Sequence, residues 1–184
     1  MPIVLASNSP RRRELIGLIF PDAIICPPQV REEEAGDWTP AEYALKMASL
    51  KARWVSLGCD QLVLGADTVV ALGAKIFGKP GDPKKNRAML AELAGKWHAV
   101  LTGVAWWQQG VCLAEEVVVT RVHFFPLSQG EIADYVHGGE GLDKAGGYGI
   151  QGLAAKFVAG IDGCYYNVVG LPVAAVARLY QGLK

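Results

Sequence analysis

One aspartate stands inside an otherwise apolar run, Leu62 to Leu72 (LVLGADTVVAL). Burying an ionised carboxylate without a partner is expensive, so Asp67 has to be met by something outside its own segment. Two structural answers are open: hydrogen bonds, some from the neighbouring Thr68, or an ion pair with Lys51. Lys51 shares the apolar face of an expected helix, where its stem can equally snorkel to water. A second group of interest is SNSPRRREL, Ser7 to Leu15. It follows a short apolar strand and opens a helix whose first-turn N–H groups share space with the Ser7 and Ser9 hydroxyls. Arginines placed there can hold an anion bidentately. The alternative is a capped surface helix with a solvated basic turn, although positive charge at that end opposes the helix dipole. Glu32, Glu33 and Glu34 form the acidic complement. Together with Asp67 they offer oxygen ligands for a hard divalent cation, or else they are a solvated loop. Cations for phosphate oxygens and carboxylates for a metal are what a triphosphate with a hard divalent cation requires.

Other chemistries lack their patterns. Neither GxxxxGK[ST] nor a strand-linked GxGxxG occurs, and His98, His123 and His137 form neither HxH nor HExxH. No nucleophile–histidine order can be argued from spacing. Cys26, Cys59, Cys112 and Cys164 contain no CxxC pair and are expected as reduced core filler.

The elements expected to carry these groups alternate. A strand at Ile3 to Ala6 leads to a helix capped by Ser9, with Leu15, Leu18 and Ile19 at helical spacing. A strand at Ala23 to Cys26 precedes the acidic loop, and Thr39 caps a helix with Ala44, Met47, Ala48, Lys51 and Val55 on one face. The Asp67 strand turns at Gly73 into Lys75 to Phe77. Asp82 and Pro83 then begin a helix that Gly95 can end. His98 to Gln108 and Cys112 to Phe125 are expected to form a hairpin through Gln109 and Gly110. Its aromatics, Trp106, Trp107, Phe124 and Phe125, suit cross-strand pairing, a dimer surface or a core better than a base-binding platform. Ser128 opens a short helix, and Gly138 to Gly152 reads as an ordered glycine-rich loop. A strand near Phe157 and a helix from Pro172 to Tyr180 close the chain. The fold class expected is α/β with α+β character, a mixed and partly antiparallel sheet flanked by helices.

The chain has 184 residues, with 18 Lys and Arg balancing 18 Asp and Glu, so no long-range field draws it to nucleic acid or an anionic membrane. The expectation is one domain over residues 1–184, with room for two closely packed lobes. The basic run follows the N-terminal apolar segment instead of preceding it, and no run approaches a bilayer span; the widely spread cysteines, read as reduced, make a cytoplasmic protein the expectation.

The motifs together are more specific than their periodicity. S-N-S-P-R-R (Ser7–Arg12), K-A (Lys51, Ala52), G-A-D-T-V-V (Gly65–Val70), G-K-P (Gly78–Pro80), T-G (Thr102, Gly103), D-K-A-G-G-Y-G-I-Q-G (Asp143–Gly152) and N-V-V-G-L-P (Asn167–Pro172) occur in order. In these the chain resembles the Maf (septum formation protein) family of nucleoside triphosphate pyrophosphatases. The resemblance implies an inosine-triphosphatase-like fold, a homodimer, a divalent cation (Mg²⁺, with Mn²⁺ as alternative) and hydrolysis to monophosphate and pyrophosphate. It implies Asp67 as proton acceptor, Arg11, Thr68 and Gln151 in substrate selection, and Ser7, Arg12, Lys51 and Lys79 on the phosphates. Glu32 and Asp67 would be the metal ligands. Y-G-I-Q-G with N-V-V-G-L-P resembles the branch acting on dTTP and UTP, including modified pyrimidine nucleotides. The alternatives are 7-methyl-GTP as substrate, or a nucleotide-binding regulator of septum formation without turnover. Two positions depart from the family pattern: Gly141 stands for a common proline and Gly147 for the usual alanine. Both are expected to add backbone freedom near Gln151.

Overall fold

Capping residues and prolines set where the helices begin. In the computed structural model, which describes residues 2–31 and 36–183, Ser9, Thr39, Asp82 and Ser128 each accept a backbone N–H three residues on. Thr39 with Glu42 and Ser128 with Glu131 close full capping boxes. The elements in order are β1 (Val4–Ala6), α1 (Pro10–Gly17), β2 (Ile24–Ile25), α2 (Pro40–Ser56), β3 (Val63–Leu72), β4 (Lys75–Phe77), α3 (Pro83–Leu93), β5 (Trp97–Gln108), β6 (Val111–Phe124), α4 (Gln129–His137), β7 (Val158–Asp162), α5 (Tyr165–Val169) and α6 (Val173–Gln181). The Gly138–Gly152 loop contains a 3₁₀ turn at Ala145–Gly147, and a second spans Leu153–Phe157. Among the described residues no helix is long and apolar enough to cross a membrane.

The strands form one mixed sheet in the order β2-β1-β3-β5-β6-β7, with β4 beside β3. β1 runs parallel to β2 and β3, and the remaining pairs are antiparallel. The β5–β6 hairpin turns through Gln109 (φ 48) and Gly110 (φ 78). Two successive positive φ angles are the geometry that matches strand twist in a two-residue loop.

Alternation along β3 divides the core. Val63 and Val69 face α2, packing with Ala52, Val55 and Ala44, whereas Leu64, Ala66 and Val70 face the larger core of Leu15, Leu90, Val100 and Phe124. Glycine lets α2 lie close. A Cβ at Gly65 would collide with the Ala48 carbonyl oxygen, and one at Gly103 with that of Ala44. Gly103 pairs with Asp67 across the sheet, so the close approach falls where the carboxylate sits.

Several expectations are corrected here. Leu18 lies beyond α1 and is exposed, Ile16 taking the buried place. Cysteines fill the core only in part: Cys26 and Cys59 are half-buried against the cluster of Val4, Ala52 and Val63, Cys164 is half-buried and Cys112 is exposed. The hairpin aromatics do not pair across the strands. Trp106 stands opposite Ala114 near the turn, far along the hairpin from Phe124. Trp106 packs edge-on to Phe20 in the core, Phe124 against His98 and Tyr148, and Phe125 is exposed. Helix α5 was not anticipated from the sequence.

Candidate active site

The ladder of β3 contains a gap. β1 pairs with Val63, Leu64 and Gly65, and β4 with Val70, Ala71 and Leu72, so Ala66–Val69 have no strand beside them on that edge among the described residues. Asp67 and Thr68 occupy this opening, next to the end of β1 and the start of α1. It adjoins the point where the sheet changes from parallel to antiparallel, the kind of place where open α/β sheets bind ligands. A cavity of about 940 Å³ lies there. That is near the upper end of the roughly 300–1,000 Å³ typical of small-molecule pockets.

Ser7, Arg11, Arg12, Lys51, Asp67, Thr68, Lys79 and Gln151 all line this one cavity. Every expected site residue within the described chain therefore meets the others. Glu32, Glu33 and Glu34 lie outside the described residues. The walls also carry Glu140, Asp143 and Lys144, so among the described residues five cationic side chains face three carboxylates. A local positive excess on a chain of zero formal net charge suits a polyanion.

Lys51 answers the question posed by Asp67. Its Nζ donates to Asp67 Oδ1 at 2.5 Å, with the two side chains 10% and 13% exposed. Lys51 is one helical turn on from Ala48, whose carbonyl touches Gly65, so the glycine contact brings the ammonium to the strand. Snorkelling is thereby excluded. Thr68 does not help satisfy Asp67, because consecutive strand residues point to opposite faces. Its Oγ1 accepts from Arg12 Nη2 at 2.9 Å and lies 2.9 Å from Thr102 Oγ1 and 3.4 Å from the Gly170 carbonyl oxygen. Thr102 is fully buried and donates to the Asn167 carbonyl at 3.3 Å.

Arg12 is fixed twice, since Nε also donates to the Gly170 carbonyl at 2.8 Å. A guanidinium held at two points is a pre-organised fork. At the head of α1, Ser9 N–H donates to Ser7 Oγ at 3.1 Å and Arg12 N–H to Ser9 Oγ at 3.4 Å. Each hydroxyl accepts a backbone amide and keeps its own proton to donate outward. The capped-helix and anion-cradle readings of this segment are thus compatible.

Across the cavity, Lys144 Nζ donates to the Glu140 carbonyl at 2.6 Å and to Asp143 Oδ1 at 2.8 Å. That ammonium, with Arg11 adding a smaller effect, holds the Asp143 carboxyl below its usual range. Behind the wall, His98 Nε2 and Tyr148 Oη are 2.8 Å apart. Burial lowers the His98 pKa to about 4 and raises that of the Tyr148 phenol. Both groups are neutral at pH 7.

The Gly141 and Gly147 departures prove to be close packing instead of added freedom. A Cβ at Gly141 would strike the Gly147 carbonyl oxygen, and Gly147 (φ 73) is pressed against Asn86, whose Nδ2 donates to that same oxygen at 2.7 Å.

A mixed α/β sheet interrupted at a cavity lined by cationic side chains is the class of architecture that gathers these residues. A HAM1 protein from Coxiella burnetii shares the fold, with a TM-score of 0.57, 15% identity and 99% of each chain covered. The profile of the Maf-like protein family matches residues 2–183, and the chain belongs to that family. It is 46% identical over 186 residues to the dTTP/UTP pyrophosphatase of Carboxydothermus hydrogenoformans, covering 100% of this chain and 98% of that one. It is 43% identical over 180 residues to the dTTP/UTP pyrophosphatase of Pyrococcus furiosus, covering 97% and 94%.

Proposed function

We propose that this chain hydrolyses nucleoside triphosphates, dTTP and UTP foremost, to the monophosphate and pyrophosphate. The observation that carries the reading is the single cavity in which the Lys51–Asp67 pair shares walls with Ser7, Arg11, Arg12, Lys79 and Gln151. Relatives named for this activity align over nearly the full chain. The triphosphate lies over the head of α1, its phosphate oxygens taken by the Ser7 hydroxyl, Arg12 and Lys79. Asp67 accepts the proton of a water attacking the α-phosphorus, and the bond to the β-phosphate oxygen breaks. Lys51 aims that carboxylate, and the cations around the cavity stabilise the leaving pyrophosphate.

A divalent cation, Mg²⁺ before Mn²⁺, fits the residues present. Among the described residues no cluster of three or more acidic, His or Cys side chains could cage a metal. Mg²⁺ needs no such cage, since one or two carboxylates with substrate phosphates and waters suffice. The carboxylates of Glu140 and Asp143 are engaged by Tyr135, Leu153 and Lys144, whereas Asp67 Oδ2 has no hydrogen-bond partner among the described residues. Asp67, with Glu32 as second ligand, would hold the ion, which would neutralise phosphate charge.

Arg11, Thr68 and Gln151 take part in substrate selection, Thr68 by fixing Arg12. Gln151 presents a donor and an acceptor matching the O4/N3–H edge shared by uracil and thymine, which the 4-amino group of cytosine mismatches. The working unit is a homodimer in the cytoplasm, the dimer to be checked by sedimentation. A product-resolved assay with Mg²⁺ against UTP, dTTP, CTP, ATP, GTP and 7-methyl-GTP tests the proposal. Expected is preferential UTP and dTTP cleavage with pyrophosphate release. Preference for 7-methyl-GTP, or binding without turnover, would overturn it.

A further inference from the structure

Gln151 lies in a glycine-rich loop, yet its backbone is tied on both sides to one carboxylate. Glu140 Oε2 accepts the N–H of Leu153 at 2.8 Å, and Oε1 accepts the Tyr135 hydroxyl at 2.9 Å. That hydroxyl in turn accepts the N–H of Gly149 at 3.2 Å. The anchors therefore fall two residues before and two after Gln151. Tyr135 is itself enclosed: it is 2% exposed and its ring is 5.3 Å from that of Phe157.

The fit leaves no slack. A Cβ at Gly149 would come within 3.2 Å of Glu140 Oε1, and one at Gly152 would collide with Oε2. The glycines flanking Gln151 thus make room for the carboxylate as well as permitting a tight turn. The Glu140 carbonyl holds Lys144 at 2.6 Å, so the same residue also sets a cation of the cavity wall.

We infer that Glu140, acting through Tyr135 and the Leu153 amide, is the positioning residue that sets Gln151 for discrimination among pyrimidine bases. This rests on the base-reading role proposed for Gln151. A base pocket discriminates best when the backbone that carries its amide is held in place, because a glutamine on a mobile loop reorients to suit either base edge. A bond to a charged acceptor is worth about tenfold or more in an equilibrium, so each anchor carries an effect of that size.

The test measures kcat and KM for UTP and CTP with Glu140→Ala, Glu140→Gln, Tyr135→Phe and Gln151→Ala. Glu140→Ala, which removes the Leu153 acceptor and the bond that holds the Tyr135 hydroxyl in place for Gly149, should lower the UTP over CTP preference about tenfold or more, with the loss in KM for UTP more than in kcat. Tyr135→Phe loses the Gly149 anchor alone and should fall between it and the unaltered chain. Glu140→Gln keeps an acceptor for Leu153 and should recover part of the preference. If Gln151→Ala abolishes the preference while Glu140→Ala and Tyr135→Phe leave it intact, the positioning role is refuted. If Gln151→Ala itself changes nothing, the base-reading role fails separately. Amide exchange then decides the clamp: Gly149 and Leu153 should exchange about tenfold faster in Tyr135→Phe and Glu140→Ala respectively, and unchanged exchange refutes it.

Discussion

Replacing Lys51 by methionine removes one charge of a buried pair and keeps most of the side-chain volume. The carboxylate left behind is 13% exposed. Breaking such a pair costs about 3–5 kcal/mol, because the surviving charge keeps its desolvation penalty and loses its compensation. Asp67 opens on a cavity where water can enter, so the lower end, about 3 kcal/mol, applies. In a chain of 184 residues each kcal/mol moves the midpoint by about 2–4 °C, giving a fall of about 6–12 °C in Tm. Adding Asp67→Asn removes the stranded charge, and the double variant should recover about 2 kcal/mol relative to Lys51→Met. Denaturant unfolding of the two single variants, the double variant and the unaltered chain supplies the cycle. A Lys51→Met variant within about 0.5 kcal/mol of the unaltered chain, or a double variant no more stable than it, would refute the claim that the pair is a coupled buried unit.

Three further outcomes are expected. Asp67→Asn, folded by circular dichroism, should lose at least about a hundredfold in turnover of UTP; turnover within threefold would remove Asp67 from the chemistry. Gly65→Ala would push the α2 backbone off the sheet and should destabilise by about 2–3 kcal/mol, with a lengthened Lys51–Asp67 contact in its crystal structure. His98 has a folded pKa of about 4, below the 6.5 of an unhindered imidazole, so the unfolded chain binds its proton first. Its contribution is full above pH 6.5 and should decline by up to about 3 kcal/mol as pH falls to 4. His98→Gln should flatten that part of the stability–pH curve, and an unchanged slope would contradict the assignment.

The cavity was legible in the sequence to the extent that its residues carry unusual demands. Asp67 in an apolar run needed a partner, and Lys51 on the apolar face of α2 was among the few groups able to serve. The serine cap and the arginines after β1 announced the helix head. Thr68 shows the limit, since its separation from Asp67 followed from strand alternation, but its bond to Arg12 depends on where α1 and Gly170 meet. The grip of Glu140 on the loop that carries Gln151 was hidden. That grip passes through Tyr135 of α4 and the amide of Leu153, and no periodicity encodes contacts made by an irregular loop. Trp106 and Trp107 are neighbours in sequence, yet strand alternation buries Trp106 among Phe20 and Tyr180 and leaves Trp107 on the other face with the smaller cluster of Val4 and Ala52. Gly141 and Gly147 looked like added freedom because a glycine's packing partner cannot be seen from its own position.

Attack at the α-phosphorus is the central claim, and the most direct measurement is UTP hydrolysis in ¹⁸O-labelled water, with mass analysis of both products. The account predicts one labelled oxygen in UMP and none in pyrophosphate. Label in the pyrophosphate, or in orthophosphate released first, would contradict it.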